Sequence, residues 1–194
     1  SIFRICTWKC WALPCSEDSV RTGGGKSKGG SYEREISVKL SLWLSNGEHD
    51  DWVWRTAMSG GRQTVGRKKG KNRSNQSGDI SAISEGAQYF FSMYSVECKY
   101  YKSLGLDNLV AGQEKGCHLL KFWEQAYRDA MSANKRPILI AKQNRLPSIV
   151  VVDSLTFTKL GGHGMLWSKF PTFSLYITDL ETFLKTITPP KKDE

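Results

Sequence analysis

Residues 77–102, SGDISAISEGAQYFFSMYSVECKYYK, decide how this chain reads. Gly78-Asp79 opens a short apolar run; an expected turn follows, and a β-type run then ends in Val96-Glu97-Cys98-Lys99. Side chains two apart on a strand leave the same face, so Glu97 and Lys99 point together and Cys98 points away. If the segments on either side of the turn pair as neighbouring strands, Asp79 approaches that face as well, and two carboxylates and an ammonium converge. Such a group suits a hard divalent cation such as Mg²⁺, which takes one or two carboxylates and fills its shell with waters and phosphate oxygens. The lysine would orient an attacking water or offset charge on a phosphorus centre. A surface hairpin with a solvated Glu/Lys pair carries the same letters, so the neighbouring sequence has to discriminate.

Immediately upstream lies the most biased part of the chain. No acidic residue occurs between Asp51 and Asp79, whereas Arg55, Arg62, Arg67, Lys68, Lys69, Lys71 and Arg73 stand among Gly, Ser, Asn and Gln. Such a loop buries too little apolar surface to fold alone, but it suits a phosphate backbone. A solvated basic linker is the alternative reading. Before it, residues 51–57, DWVWRTA, read as a strand with Trp52 and Trp54 on one face. Earlier still, Ser31 is positioned to cap a helix running to about residue 45, ended by Asn46-Gly47. Tyr32, Ile36, Leu40, Trp43 and Leu44 form its apolar stripe at about 100° per residue. Glu33 falls within that stripe and Glu35 outside it, and a carboxylate turned toward a core needs a cation or a metal. Residues 21–30, RTGGGKSKGG, read as a flexible basic approach to this helix. Gly25-Lys26-Ser27 imitates the end of a phosphate-binding loop, but Val20 replaces the required first glycine, so no nucleotide cofactor is expected.

Downstream, residues 114–133 carry Leu119, Leu120, Trp123, Ala126, Tyr127, Ala130 and Met131 at helical spacing, with Lys121, Glu124, Gln125 and Arg128 opposite. Asn134 ends the helix and Pro137 opens a strand, ILIAK, with IVVVD at 149–153 as its hairpin partner. Phe173, Leu175 and Ile177 alternate before a short helix at about 179–185, and TPPKKDE reads as a disordered end. His163, alone in a glycine loop, reads as solvated.

The chain has 194 residues, 39% of them hydrophobic, which suits one folded domain with appendages. Its 28 Lys and Arg against 19 Asp and Glu give a formal charge of +9, which favours a polyanionic partner, nucleic acid ahead of an acidic membrane. No apolar run is long enough to span a bilayer and no signal-peptide layout opens the chain, so a soluble intracellular protein is expected. The five cysteines (Cys6, Cys10, Cys15, Cys98 and Cys117) have no framework spacing and read as thiols. Cys6, Cys10 and Cys15 lack a fourth ligand for zinc.

The order helix with Glu33, strand, basic loop, Asp79, Glu97-x-Lys99, helix, strand resembles the PD-(D/E)xK nuclease core, and more narrowly the archaeal-type (Hjc-like) Holliday junction resolvases, which also occur in viruses. Lys28-Gly29-Gly30-Ser31-Tyr32-Glu33-Arg34-Glu35 resembles the opening K-G-x-x-x-E-R-E, whose first Glu contributes to the metal site. Arg55-Thr56-Ala57-Met58-Ser59-Gly60 resembles the R-S-x-x-S-type segment that contacts DNA near the cut. Gly78-Asp79-Ile80 stands where the family has P-D-hydrophobic, Val96-Glu97-Cys98-Lys99 matches h-E-x-K, and residues 119–142 resemble the helix and P-h-h-A strand that close the core. Glycine for proline before Asp79 is expected to be harmless, because the backbone there has mainly to turn.

The resemblance implies an α/β, restriction-endonuclease-like core with a central mixed sheet flanked by helices. It covers 26–153, with an N-terminal extension at 1–25 and a C-terminal extension at 154–194 packed on the core. It implies a DNA endonuclease with catalytic Glu33, Asp79, Glu97 and Lys99, and with Mg²⁺ (Mn²⁺ substituting) on the three carboxylates. DNA contacts would come from Lys26, Lys28, Arg34, Arg55, Ser59, Arg62, Arg67, Lys68, Lys69, Lys71 and Arg73. A homodimer would place paired nicks across a four-way junction. The alternatives are another PD-(D/E)xK nuclease, restriction-like or a viral DNA-processing nickase, and a non-catalytic basic nucleic-acid-binding module.

Overall fold

The computed structural model describes residues 25–56, 77–113, 115–162, 167–169 and 174–190. Ser59, the basic residues Arg62, Arg67, Lys68, Lys69, Lys71 and Arg73, the cysteines Cys6, Cys10 and Cys15, and His163 lie outside the described residues. The remaining residues build an α/β fold. Its seven strands, β1 (Val53–Arg55), β2 (Ile80–Ala82), β3 (Tyr94–Tyr101), β4 (Arg136–Gln143), β5 (Ser148–Asp153), β6 (Trp167–Lys169) and β7 (Ser174–Asp179), lie in the order β1-β2-β3-β4-β5-β7-β6. β3 and β4 run parallel and the other pairs antiparallel, so the sheet is mixed, as a restriction-endonuclease-like core requires.

Helix α1 (Gly25–Leu44) buries Tyr32, Ile36, Leu40, Trp43 and Leu44, the stripe read from the sequence. Its end is also as expected: Asn46 and Gly47 take positive φ, and the Gly47 amide donates to the Leu42 carbonyl at 2.7 Å. Its start is not, because residues 25–30 are helical instead of a flexible approach and Ser31 caps nothing. Packing overrides the poor helix propensity of glycine here. Gly30 is buried, and a Cβ on it would sit 3.0 Å from Arg55 Nη1, so the bare backbone leaves room for the guanidinium.

Between β2 and β3 the expected turn is a helix, α2 (Glu85–Met93), capped by the Ser84 hydroxyl. Ala87, Phe90 and Phe91 recur at helical spacing and are all buried, a periodicity that the short run disguised. After the brief α3 (Leu106–Val110), helix α4 (His118–Ser132) begins after the expected residue 114 and buries Leu119, Trp123, Ala126 and Ala130. Met131, placed in that stripe from the sequence, is 38% exposed. Trp52 and Trp54 also part company. Trp52 stacks on His49 and packs against the core, Trp54 is 46% exposed, and the buried residue of β1 is Val53 between them.

The sheet carries a core on each face. Val96, Cys98, Ile138, Ile140, Val150 and Val152 meet the apolar residues of α1 and α2 on one side, whereas Leu139, Ala141, Val151 and Leu175 meet Leu119 and Trp123 of α4 on the other. Beyond residue 153 come α5 (Ser154–Lys159), capped by Asp153, and α6 (Leu180–Thr186), capped by Asp179. β7 pairs along β5 from Ile149 to Asp153, and Leu180, Phe183 and Ile187 enter the α1 side of the core. The Trp43 indole donates to the Ile187 carbonyl at 2.9 Å. The tail expected to be disordered is packed as far as Pro189, which is buried; residues 191–194 lie outside the described residues. No helix among the described residues is long and apolar enough to cross a membrane.

Candidate active site

Asp79 is held at three points. Its amide donates to the Val96 carbonyl (2.9 Å), its carbonyl accepts from the Thr56 amide (2.7 Å), and its Oδ2 accepts from the Cys98 amide (3.0 Å). The carboxylate therefore meets a backbone donor of β3 just where β2 is about to begin, and it is 7% exposed. Gly78 makes this approach by adopting φ +86, and a Cβ there would lie 2.4 Å from the Val96 carbonyl oxygen. Proline, fixed near φ −65°, has no access to that conformation. The glycine is thus a requirement of this chain, not a harmless exchange for the family's proline.

Strand alternation on β3 does what the sequence implied. Cys98 is buried in the α1-side core, while Glu97 and Lys99 project toward α4. Lys99 Nζ donates to Glu97 Oε1 at 2.7 Å and stands 5.8 Å from the centre of the Phe122 ring. Glu33, from α1, faces Arg55 of β1, with Nε 3.2 Å from Oε2. That approach is poorly directed, and Glu33 Oε2 remains buried without a hydrogen bond.

The electrostatics follow from burial first. Desolvation and then the Asp79 charge push Glu97 up to about 7, and the Lys99 ammonium offsets only part of this. Burial and Asp79, in the same order, also raise Glu33 above its ordinary value against the pull of Arg55. Burial alone would lower Lys99, but Glu97 and Asp79 outweigh it, so the ammonium holds its proton more firmly than a free lysine. Asp79 is the charge felt by both glutamates.

Glu33, Asp79 and Glu97 nevertheless do not form a ready cage. Among the described residues no three His, Cys, Asp or Glu side chains converge closely enough to hold an ion, and the three carboxylates instead meet Arg55, the Cys98 amide and Lys99. The donor chemistry still fits a hard cation. Burial and then the Asp79 charge raise both the buried Glu97 and the half-buried Glu33, and one oxygen of Glu33 lacks any hydrogen bond. Of the expected DNA contacts, Lys28 and Arg34 are exposed on α1, Arg55 is engaged with Glu33, and the Lys26 side chain lies outside the described set. Sequence reading missed Phe122, which packs beside Lys99, and Asp129, whose charge also raises Glu97. Both lie on α4 between its apolar and polar stripes, where no pattern singles them out.

No curated protein and no solved structure matches the chain. A family model described as "Phage putative PDDEXK endonuclease" matches residues 24–191, spanning α1, the sheet and α6. With Asp79, just ahead of β2, bonded to the strand that carries Glu97-x-Lys99 inside that span, the chain belongs to this phage family of PD-(D/E)xK nucleases.

Proposed function

We propose that the protein is a divalent-metal-dependent DNA endonuclease that uses Glu33, Asp79, Glu97 and Lys99, and that its substrate is branched DNA of the four-way-junction class. The observation that carries the reading is Asp79 set beside β3, its charge acting on both Glu97 and Glu33, with Lys99 2.7 Å from Glu97. Asp79, Glu97 and Glu33 are the residues that would hold the ion, each through its carboxylate oxygens. When bound, Mg²⁺, or Mn²⁺ in its place, polarises a phosphoryl oxygen and makes a water more acidic. Lys99 donates to the attacking water or to the oxygen on which charge develops. Arg55, Lys28 and Arg34, with Ser59 and the basic residues from Arg62 to Arg73, grip flanking phosphates. The junction and the homodimer rest on the resemblance of residues 28–35, 55–60 and 96–99 to junction resolvases.

A cleavage panel of linear duplex, flap and four-way junction with Mg²⁺ tests the proposal. Paired nicks on the junction support the resolvase reading. Cutting of the duplex or flap alone assigns a different PD-(D/E)xK activity, and binding without cleavage at any Mg²⁺ concentration leaves only a basic binding module.

A further inference from the structure

At the corner where α4 turns into β4, Asn134 adopts φ 56 and the Lys135 amide donates to the Ala130 carbonyl at 3.0 Å. This turn tucks the Lys135 side chain inward, leaving the residue only 6% exposed. Burial holds its amine below the usual lysine range, and no hydrogen bond or ion pair to its ammonium is present among the described residues. The residue is packed away while its ammonium is only partly desolvated and has no partner among the described residues, and an anion seated beside it would offset that partial cost. Lys135 lines a cavity of about 360 Å³ together with Asn134, Arg136 and Lys159, with Met93 and Tyr94 also in its wall. One carboxylate stands near. Asp153 Oδ2 lies 3.7 Å from Arg136 Nη1, and its Oδ1 already accepts from the Thr156 amide. Three cations therefore face one committed anion.

The geometry points to a phosphate-binding pocket at this corner, built by Lys135 with Arg136 and Lys159 and separate from the carboxylate site. It lies at the N-terminal ends of β3 and β4, where Tyr94 pairs with Arg136, whereas Glu97 and Lys99 lie further along β3. The shared ligand chemistry is a phosphate group, from free phosphate or from a DNA strand passing the α4–β4 corner. The pocket does not depend on the nuclease reading.

The test uses the full chain without divalent metal, titrated by calorimetry with inorganic phosphate and, separately, with a short DNA duplex. Lys135→Met keeps the stem and removes the charge, and Lys159→Ala, at an exposed position, guards against a folding defect. If the pocket takes free phosphate, wild type binds it, each variant weakens that binding, Lys135→Met by about tenfold or more, and duplex affinity is unchanged. If it takes the DNA backbone, the same variants weaken duplex binding and lower its salt dependence. Should both variants remain folded and bind phosphate and duplex as wild type does, the pocket is not an anion site. Asp79→Asn should leave phosphate binding intact, which separates failure of this pocket from failure of the catalytic assignment.

Discussion

Asp79 Oδ2 accepts the Cys98 amide at 3.0 Å, so the candidate catalytic carboxylate is fixed by the backbone of the strand that carries Glu97 and Lys99. Asparagine has the same shape and its amide oxygen accepts the same bond, so Asp79→Asn should fold and bind DNA. Its metal-dependent cleavage should fall by about 100-fold or more, since a charged ligand and its electrostatic effect are both removed. Because Asp79 is the second cause of the upward shift at Glu97, that carboxyl should also titrate lower in the variant, which a ¹³C NMR titration reads directly. Cleavage at the wild-type rate would remove Asp79 from the site.

The Glu97 shift fixes the sign of a pH dependence. With a folded value of about 7 against an ordinary 4.5, the native state holds a proton that the unfolded state has released across that window. The stabilisation is complete below about 4.5 and is lost as pH rises toward about 7, and Glu33 shifts in the same direction. Urea unfolding of the metal-free protein should therefore give a midpoint that falls between these pH values. Glu97→Gln, which cannot ionise, should flatten the dependence. An unchanged slope in that variant would show that Glu97 titrates normally.

Much of this arrangement was legible in the sequence, for identifiable reasons. Glu97, Cys98 and Lys99 separate by strand alternation alone, and the α1 stripe from Tyr32 to Leu44 follows a single helical period. What could not be read was set by long-range contacts. α1 extends back to Gly25 because it packs beside Arg55, a residue 25 positions from Gly30 whose guanidinium fills the space a side chain would need. α2 looked like a turn because its nine residues show little more than two helical periods. The partners chosen by the carboxylates, Arg55 for Glu33 and the Cys98 amide for Asp79, depend on strand register, which no local pattern reveals.

Gly78 tests the backbone that presents Asp79. Alanine there must hold a positive φ and place its Cβ 2.4 Å from the Val96 oxygen, so Gly78→Ala should lose about 2 kcal/mol or more and displace the carboxylate. Gly78→Pro restores the proline of the family pattern yet demands a negative φ, so it should be worse still. Chemical denaturation and cleavage assays on both variants check this. A fully active Gly78→Pro enzyme would mean that the Asp79 approach has another solution.

A chain stopped after Asp153 would retain every proposed catalytic residue but lose β7 from the edge of β5, and Leu180, Phe183 and Ile187 from the core on α1. Trp43 would lose its acceptor as well. The exposed β5 edge and the opened core should abolish cooperative unfolding, so the fragment should show no thermal transition by near-ultraviolet circular dichroism and should aggregate. A sharp transition like that of the full chain would make residues 154–190 dispensable.

The basic run before Asp79 makes a prediction that separates phosphate contacts from general charge. Each cation that displaces a condensed counterion steepens the fall of log K with log salt by about 0.9 on duplex DNA. Changing Lys68, Lys69 and Lys71 together to glutamine should therefore weaken binding and lower the slope by about 2–3 if all three meet phosphates. With Asp79→Asn in the same background, binding can be measured in Mg²⁺ without cleavage of the probe. An affinity loss with the slope unchanged would mean that these lysines act only through the overall +9 charge of the chain, and the grip on DNA would then have to come from Lys28, Arg34 and Arg55.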